Sequence, residues 1–193
     1  MVPPPPNMGR LSRHDAVFMA IDSGLIRPQM GSVTNDDLVS IIWFGTMAQI
    51  IACHVPFAEV PPVLTRIFRD LQPRTHGNYL PALDQLSLLL TYPAHLPFSS
   101  VNVLFFSDGR PSDGVTDDSK RAFRPKPAER EAIICDRVRA ACWPTLMSMP
   151  RSAFRFHAVG LGNAPGEFTF LKAMASSMPD GTGEFHLSSL SLA

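Results

Sequence analysis

The sequence predicts a three-layer α/β/α fold around a mainly parallel, doubly wound sheet. Short runs of apolar, β-branched and aromatic residues alternate with stretches of helical periodicity along most of the chain, the pattern that produces parallel strands joined by crossover helices. One of these runs, "VNVLFFSDG" (101–109), is apolar except for Asn102 until it breaks into Ser107-Asp108-Gly109, as a buried strand does when it delivers a polar tip to the sheet edge. The 193 residues are 45% hydrophobic, enough for one domain with a real core.

The elements follow in order. Four prolines, Pro3 to Pro6, favour an extended polyproline leader and cannot enter a sheet interior. Leu11, Val17, Phe18, Ile21 and Leu25 share a helix face, and Gly24 is placed to end that helix. "DLVSIIWFG" (37–45) has the composition of a strand covered on both faces in a parallel sheet. Gly45-Thr46 turns the chain into "AQIIACHV", which so short a connection makes antiparallel and an edge strand. Val60, Val63, Leu64, Ile67, Phe68 and Leu71 mark the clearest amphipathic helix, with Pro61 and Pro62 tolerated in its first turn. A second helix starts near Pro81, with Leu83, Leu86 and Leu90 on one side, and leads to the strand at 101–107. From about Pro127 a helix buries Ile134, Val138, Ala141 and Cys142 and is stopped or kinked around Pro144. "FRFHAVGLG" (154–162) is a strand, Phe168, Leu171, Met174 or Ala175 and Met178 mark another helix, and "GEFHLSSL" is a last short strand.

Composition excludes several function classes. Seventeen basic residues balance seventeen acidic ones, so no net field draws the chain to nucleic acid or to an anionic membrane. The uncharged stretches 38–58 and 86–107 are broken by Gly45, His54 and Pro56, and by Pro93, His95 and Pro97, which suits strand-turn-strand and a soluble chain rather than a membrane span. Three widely spaced cysteines, with no signal-peptide pattern at the start, point to a reducing, intracellular compartment and to buried structural thiols. "GLGNAPG" (160–166) has the wrong glycine spacing for a dinucleotide loop. Cys53-His54 and the Cys135/Cys142 pair fall short of a zinc set, and His76, His95, His157 and His186 have no nucleophile turn beside them. The mixed charges of 117–139 belong to a solvated loop and helix face, and Asp113, Asp117 and Asp118 keep that loop hydrated.

Asp108 carries the remaining chemistry. A carboxylate at a strand end suits Mg²⁺, which takes one or two carboxylates and keeps several waters. A plain turn in which Asp108 bonds its own backbone explains the same tripeptide.

The segments "VNVLFFSDGRPSDG", "HGNYLPALDQL", "DDLVSIIWFG", "FRFHAVGLGN" and "GTGEFHLSSL" together resemble the von Willebrand factor A (vWA) domain family from Met8 to Leu192, with a Pro-rich leader at 1–8 and the domain at 9–193. The resemblance implies a Rossmann-like sheet and a metal-ion-dependent adhesion site. In that site an Asp-x-Ser-x-Ser loop, a Thr and an Asp hold Mg²⁺ with one position open to an acidic side chain of a protein partner. Asp108 matches the Asp. Pro3, Pro5 and Asn7 stand in the Asp-x-Ser-x-Ser places, so only Asn7 brings an oxygen. The Thr place falls on Gly77, with Thr75 two residues early. The family's central first strand and its C-terminal helix have no counterparts, so the chain resembles a vWA domain truncated at both ends.

The implied function is a non-enzymatic protein–protein interaction module with a degenerate adhesion site. Its metal ligands would be Asp108, Thr75 and Asn7, and its partner-binding residues Ser107, Gly109, Arg110, Ser112, Gly77 and Asn78. The alternatives are a Mg²⁺-dependent enzyme of phosphoryl transfer or hydrolysis on a doubly wound fold, which needs a phosphate loop or second catalytic group, and an incomplete, inactive vWA fragment.

Overall fold

Alternation of large apolar side chains between two faces organises the first half of the molecule. The structure, a computed structural model, describes residues 17–31, 37–71, 77–91, 98–109, 111–113, 126–162 and 168–188. Strands β1 (Leu38–Phe44) and β2 (Ala48–Pro56) pair antiparallel. Val39, Ile41 and Trp43 on one face of β1 pack with Ile51 and Val55 of β2 against Phe57 and helix α2 (Val60–Asp70), while Ile42, Phe44 and Ala48 face the opposite core. Cys53 and His54 oppose Ser40 in a bulge: the register jumps from Val39↔Val55 to Ile41↔Ala52. His54 takes a left-handed φ of 50°, and its N–H is satisfied by the Ser40 Oγ at 2.9 Å.

The second sheet is parallel throughout, in the order β3 (Val101–Ser107), β4 (Phe154–Leu161), β5 (Gly183–Ser188). One face carries Phe105, Phe154, Phe156 and Ala158 into a core closed by helices α3 (Tyr79–Thr91), α4 (Pro127–Ser148) and α5 (Thr169–Ser176). The core is continuous with β1, because the Phe44 ring lies 5.2 Å from Phe105 and edge-on to Tyr79. The chain is therefore mixed α/β, with a three-stranded parallel sheet and helices. Among the described residues no helix is long and apolar enough to cross a membrane.

Four expectations are corrected. β1 belongs to an antiparallel pair rather than to the parallel sheet, because the three residues at 45–47 are too few for a crossover. Gly24 does not end its helix: a π-helix at Ala20–Ile26 passes through it into the short helix α1 (Arg27–Gln29), held by Ile26, which is 2% exposed in the α2 core. Pro144 does not stop α4, which runs on to Ser148 with the proline inside it. Buried Cys142, Thr145 and Leu146 flank that proline, and the Thr145 hydroxyl donates to the Leu90 carbonyl at 3.3 Å, so packing outweighs a proline cost of about 3 kcal/mol. Cys53 is exposed, not a buried structural thiol.

Cys142 is fully buried, and burial pushes its thiol up to about 12, which cuts the thiolate fraction about a thousandfold relative to the ordinary value of 9.0. In the native chain, alkylation followed by mass spectrometry should label Cys53 and spare Cys142 until denaturant is added. Equal labelling rates would contradict the packing around α4.

Candidate functional site

The end of β3 is where three loops meet. β3 is apolar inside the sheet, so its hydrogen-bonded ladder stops only at Ser107, and Asp108 stands at the carboxyl end. Gly109 then takes a φ of 86°, a conformation that favours glycine, and is buried. The turn is stitched to its neighbours by backbone bonds. The Ser112 N–H donates to the Gly77 carbonyl at 2.9 Å, and the Asn78 N–H donates to the Gly45 carbonyl at 2.8 Å. The Asn78 side-chain amide donates to the Thr46 carbonyl at 3.1 Å. Ser107, Asp108, Gly109, Ser112, Gly77 and Asn78 are thus gathered at one end of the molecule. Asn7, Thr75 and Arg110 lie outside the described residues.

Most of the polar groups here hold the loops together. The Ser107 Oγ accepts the Gly109 N–H at 3.2 Å and lies 2.5 Å from the Tyr79 hydroxyl. Burial first, and then the charges of Asp108 and Asp113, push the Tyr79 phenol well above its usual range, so it stays protonated. Asp113 was expected to hydrate a loop, but it is 4% exposed. Its two carboxylate oxygens accept the N–H groups of Tyr79 at 2.8 Å and Leu80 at 2.9 Å, capping the N-terminus of α3.

Of the expected metal ligands, Asp108 alone falls among the described residues, while the Ser107 hydroxyl beside it is engaged by Tyr79 and Gly109. Among the described residues the Asn78 Oδ1 is buried without a hydrogen-bond partner.

A second cluster occupies the outward face of the parallel sheet. Residues two apart on a strand share a face, so Glu184 and His186 of β5 project together, beside His157 of β4, whose register partner is Glu184. The His157 Nδ1 lies 2.9 Å from the His186 Nε2, and the Glu184 Oε2 lies 3.7 Å from the former and 3.5 Å from the latter. Burial first, and then His186, hold the His157 imidazole below its usual range. His157 and His186 border an open groove of about 700 Å³, whose other walls include Met19, Leu25, Leu104 and Phe106. Sequence reasoning weighed these histidines only as partners of a nucleophile. The Glu-x-His spacing on a strand was the available signal, and the strand order that adds His157 was not legible.

No family model matches the chain, and a search of curated proteins finds no match to it.

Proposed function

We propose that the chain is a non-enzymatic protein–protein interaction module of vWA type, which recognises its partner with the strand-end loops around Asp108. The observation that carries this reading is the convergence of residues 45–46, 77–80, 107–109 and 111–113 on the carboxyl end of β3. A carboxylate on a scaffold braced in this way meets a partner with little ordering cost. In open α/β sheets ligands gather at this edge. The reading includes a doubly wound, three-layer arrangement that lacks its first central strand. It is supported by two sheets that share one core while, among the described residues, each pairs only within itself, as a gap between β1 and β3 would leave them. Three free thiols suit a reducing, intracellular setting.

In the metal-dependent form of this reading, Asp108, Thr75 and Asn7 hold Mg²⁺, and Ser107, Gly109, Arg110, Ser112, Gly77 and Asn78 border the partner. When bound, the ion supplies an open position for an acidic side chain. Calorimetric titration of Mg²⁺ into the wild type and Asp108→Ala tests the metal: heat is expected only in the wild type, and equal heats would remove the ion from the proposal. Affinity capture with wild type and Asp108→Arg as paired baits tests the surface. Proteins held by the wild type and lost from the variant are expected, and identical sets on both baits would overturn the assignment.

A further inference from the structure

We propose that His157, Glu184 and His186 form a Zn²⁺ site on the outward face of the parallel sheet, with a fourth coordination position open to the adjoining groove. The argument begins from the separations of the three donor atoms. A tetrahedral Zn²⁺ with bonds of about 2.0–2.1 Å holds its ligand atoms about 3.3 Å apart. The three observed separations, 2.9, 3.5 and 3.7 Å, bracket that value, so the donors already outline one face of a tetrahedron. Hydrogen bonding explains this less well. The two rings lie within hydrogen-bond distance of each other, but the carboxylate oxygen stands at or beyond the limit for both, and a central cation would engage all three at once.

The donor types select the ion. Two imidazoles and one carboxylate are a set that zinc uses with an open fourth position, whereas Mg²⁺ and Ca²⁺ prefer oxygen donors throughout. The scaffold fixes the set. His157 and Glu184 are register partners in a hydrogen-bonded parallel ladder, and His186 follows Glu184 by the two-residue repeat of a strand. The core side of β4 is anchored by Phe156 and Ala158, both fully buried, which leaves the His157 backbone little freedom. Because both histidines border the groove, the fourth position is open to water or to an anionic oxygen donor that enters along it. The site is separate from the loops around Asp108 and does not depend on their function.

The test is titration of Zn²⁺ into chelator-stripped protein by calorimetry, with Co²⁺ substitution read by its visible absorption. One equivalent of Zn²⁺ and the spectrum of tetrahedral Co²⁺ are expected in the wild type. His186→Ala and Glu184→Gln, both at exposed positions, should weaken binding at least tenfold while keeping the wild-type melting curve. Cys53→Ser checks a second adjacent pair of potential ligands, whose Cys53 Sγ and His54 Nδ1 are 3.5 Å apart, and should bind as the wild type does. No zinc binding in the wild type, undiminished binding in His186→Ala, or loss of binding in Cys53→Ser would each overturn the proposal.

Discussion

Gly183→Ala is expected to destabilise the chain by about 3 kcal/mol, at the upper end of the usual cost of overpacking a core. A Cβ at Gly183 would overlap the Ala175 carbonyl oxygen far inside van der Waals contact and lie 2.8 Å from the Met178 Cβ. The obstacle is the backbone of the last turn of α5 at Ala175, 3% exposed, and Met178 just past the helix, 5% exposed, so no side-chain rotation relieves it. Gly183 is also the register partner of Phe156, and shifting it would disturb the β4–β5 ladder. Gly24 predicts the opposite sign. Among the described residues nothing lies within 4 Å of a Cβ there, and the residue sits in a helix, so Gly24→Ala should stabilise by about 0.5–1 kcal/mol. Urea unfolding of the two variants checks both directions. A neutral Gly183→Ala would mean that α5 does not lie this close to β5.

What the sequence made legible follows from where burial is repetitive. The apolar runs at 101–107, 154–161 and 183–188 form strands, and the helical spacing of Val60, Leu64 and Ile67 forms α2, because each of these elements buries one periodic face. Punctuation residues misled where packing overrode local propensity. Gly24 reads as a helix end and Pro144 as a stop or a kink, yet in each case buried neighbours, Ile26 for the one and Cys142, Thr145 and Leu146 for the other, carry the helix onward. The pairing of β1 was half legible: the short turn fixed its antiparallel partner, while its apolar composition pointed to a parallel sheet. The sites were legible only where local sequence contains them. The strand-to-turn break at Asp108 is such a feature. The approach of His157 to Glu184 and His186 depends on β4 and β5 being neighbours, which no spacing in the chain reveals. The role of Asp113 depends on a contact across 34 positions.

Asp113→Ala is the second large loss expected, about 3 kcal/mol, for reasons that separate it from its neighbour Asp108. Each carboxylate oxygen of Asp113 accepts one backbone N–H from the first turn of α3, and a negative charge there also complements the helix dipole. Losing a cap costs about 0.5–2 kcal/mol, and an orphaned buried N–H adds about 1–3 kcal/mol. Tyr79 is fully buried, so water cannot replace the lost acceptor at its amide. Asp113→Asn keeps one acceptor oxygen but turns an NH₂ group toward the second amide, so it should fall between the wild type and Asp113→Ala. Asp108→Ala, at the half-exposed rim, should cost less than Asp113→Ala, because among the described residues Asp108 caps no helix end. Urea unfolding ranks the three variants, and hydrogen exchange at the Tyr79 amide should quicken in Asp113→Ala but not in Asp108→Ala. A loss as large in Asp108→Ala as in Asp113→Ala would reverse the two roles: the recognition carboxylate would then be a structural one, and the strand-end surface would lose its argument for binding.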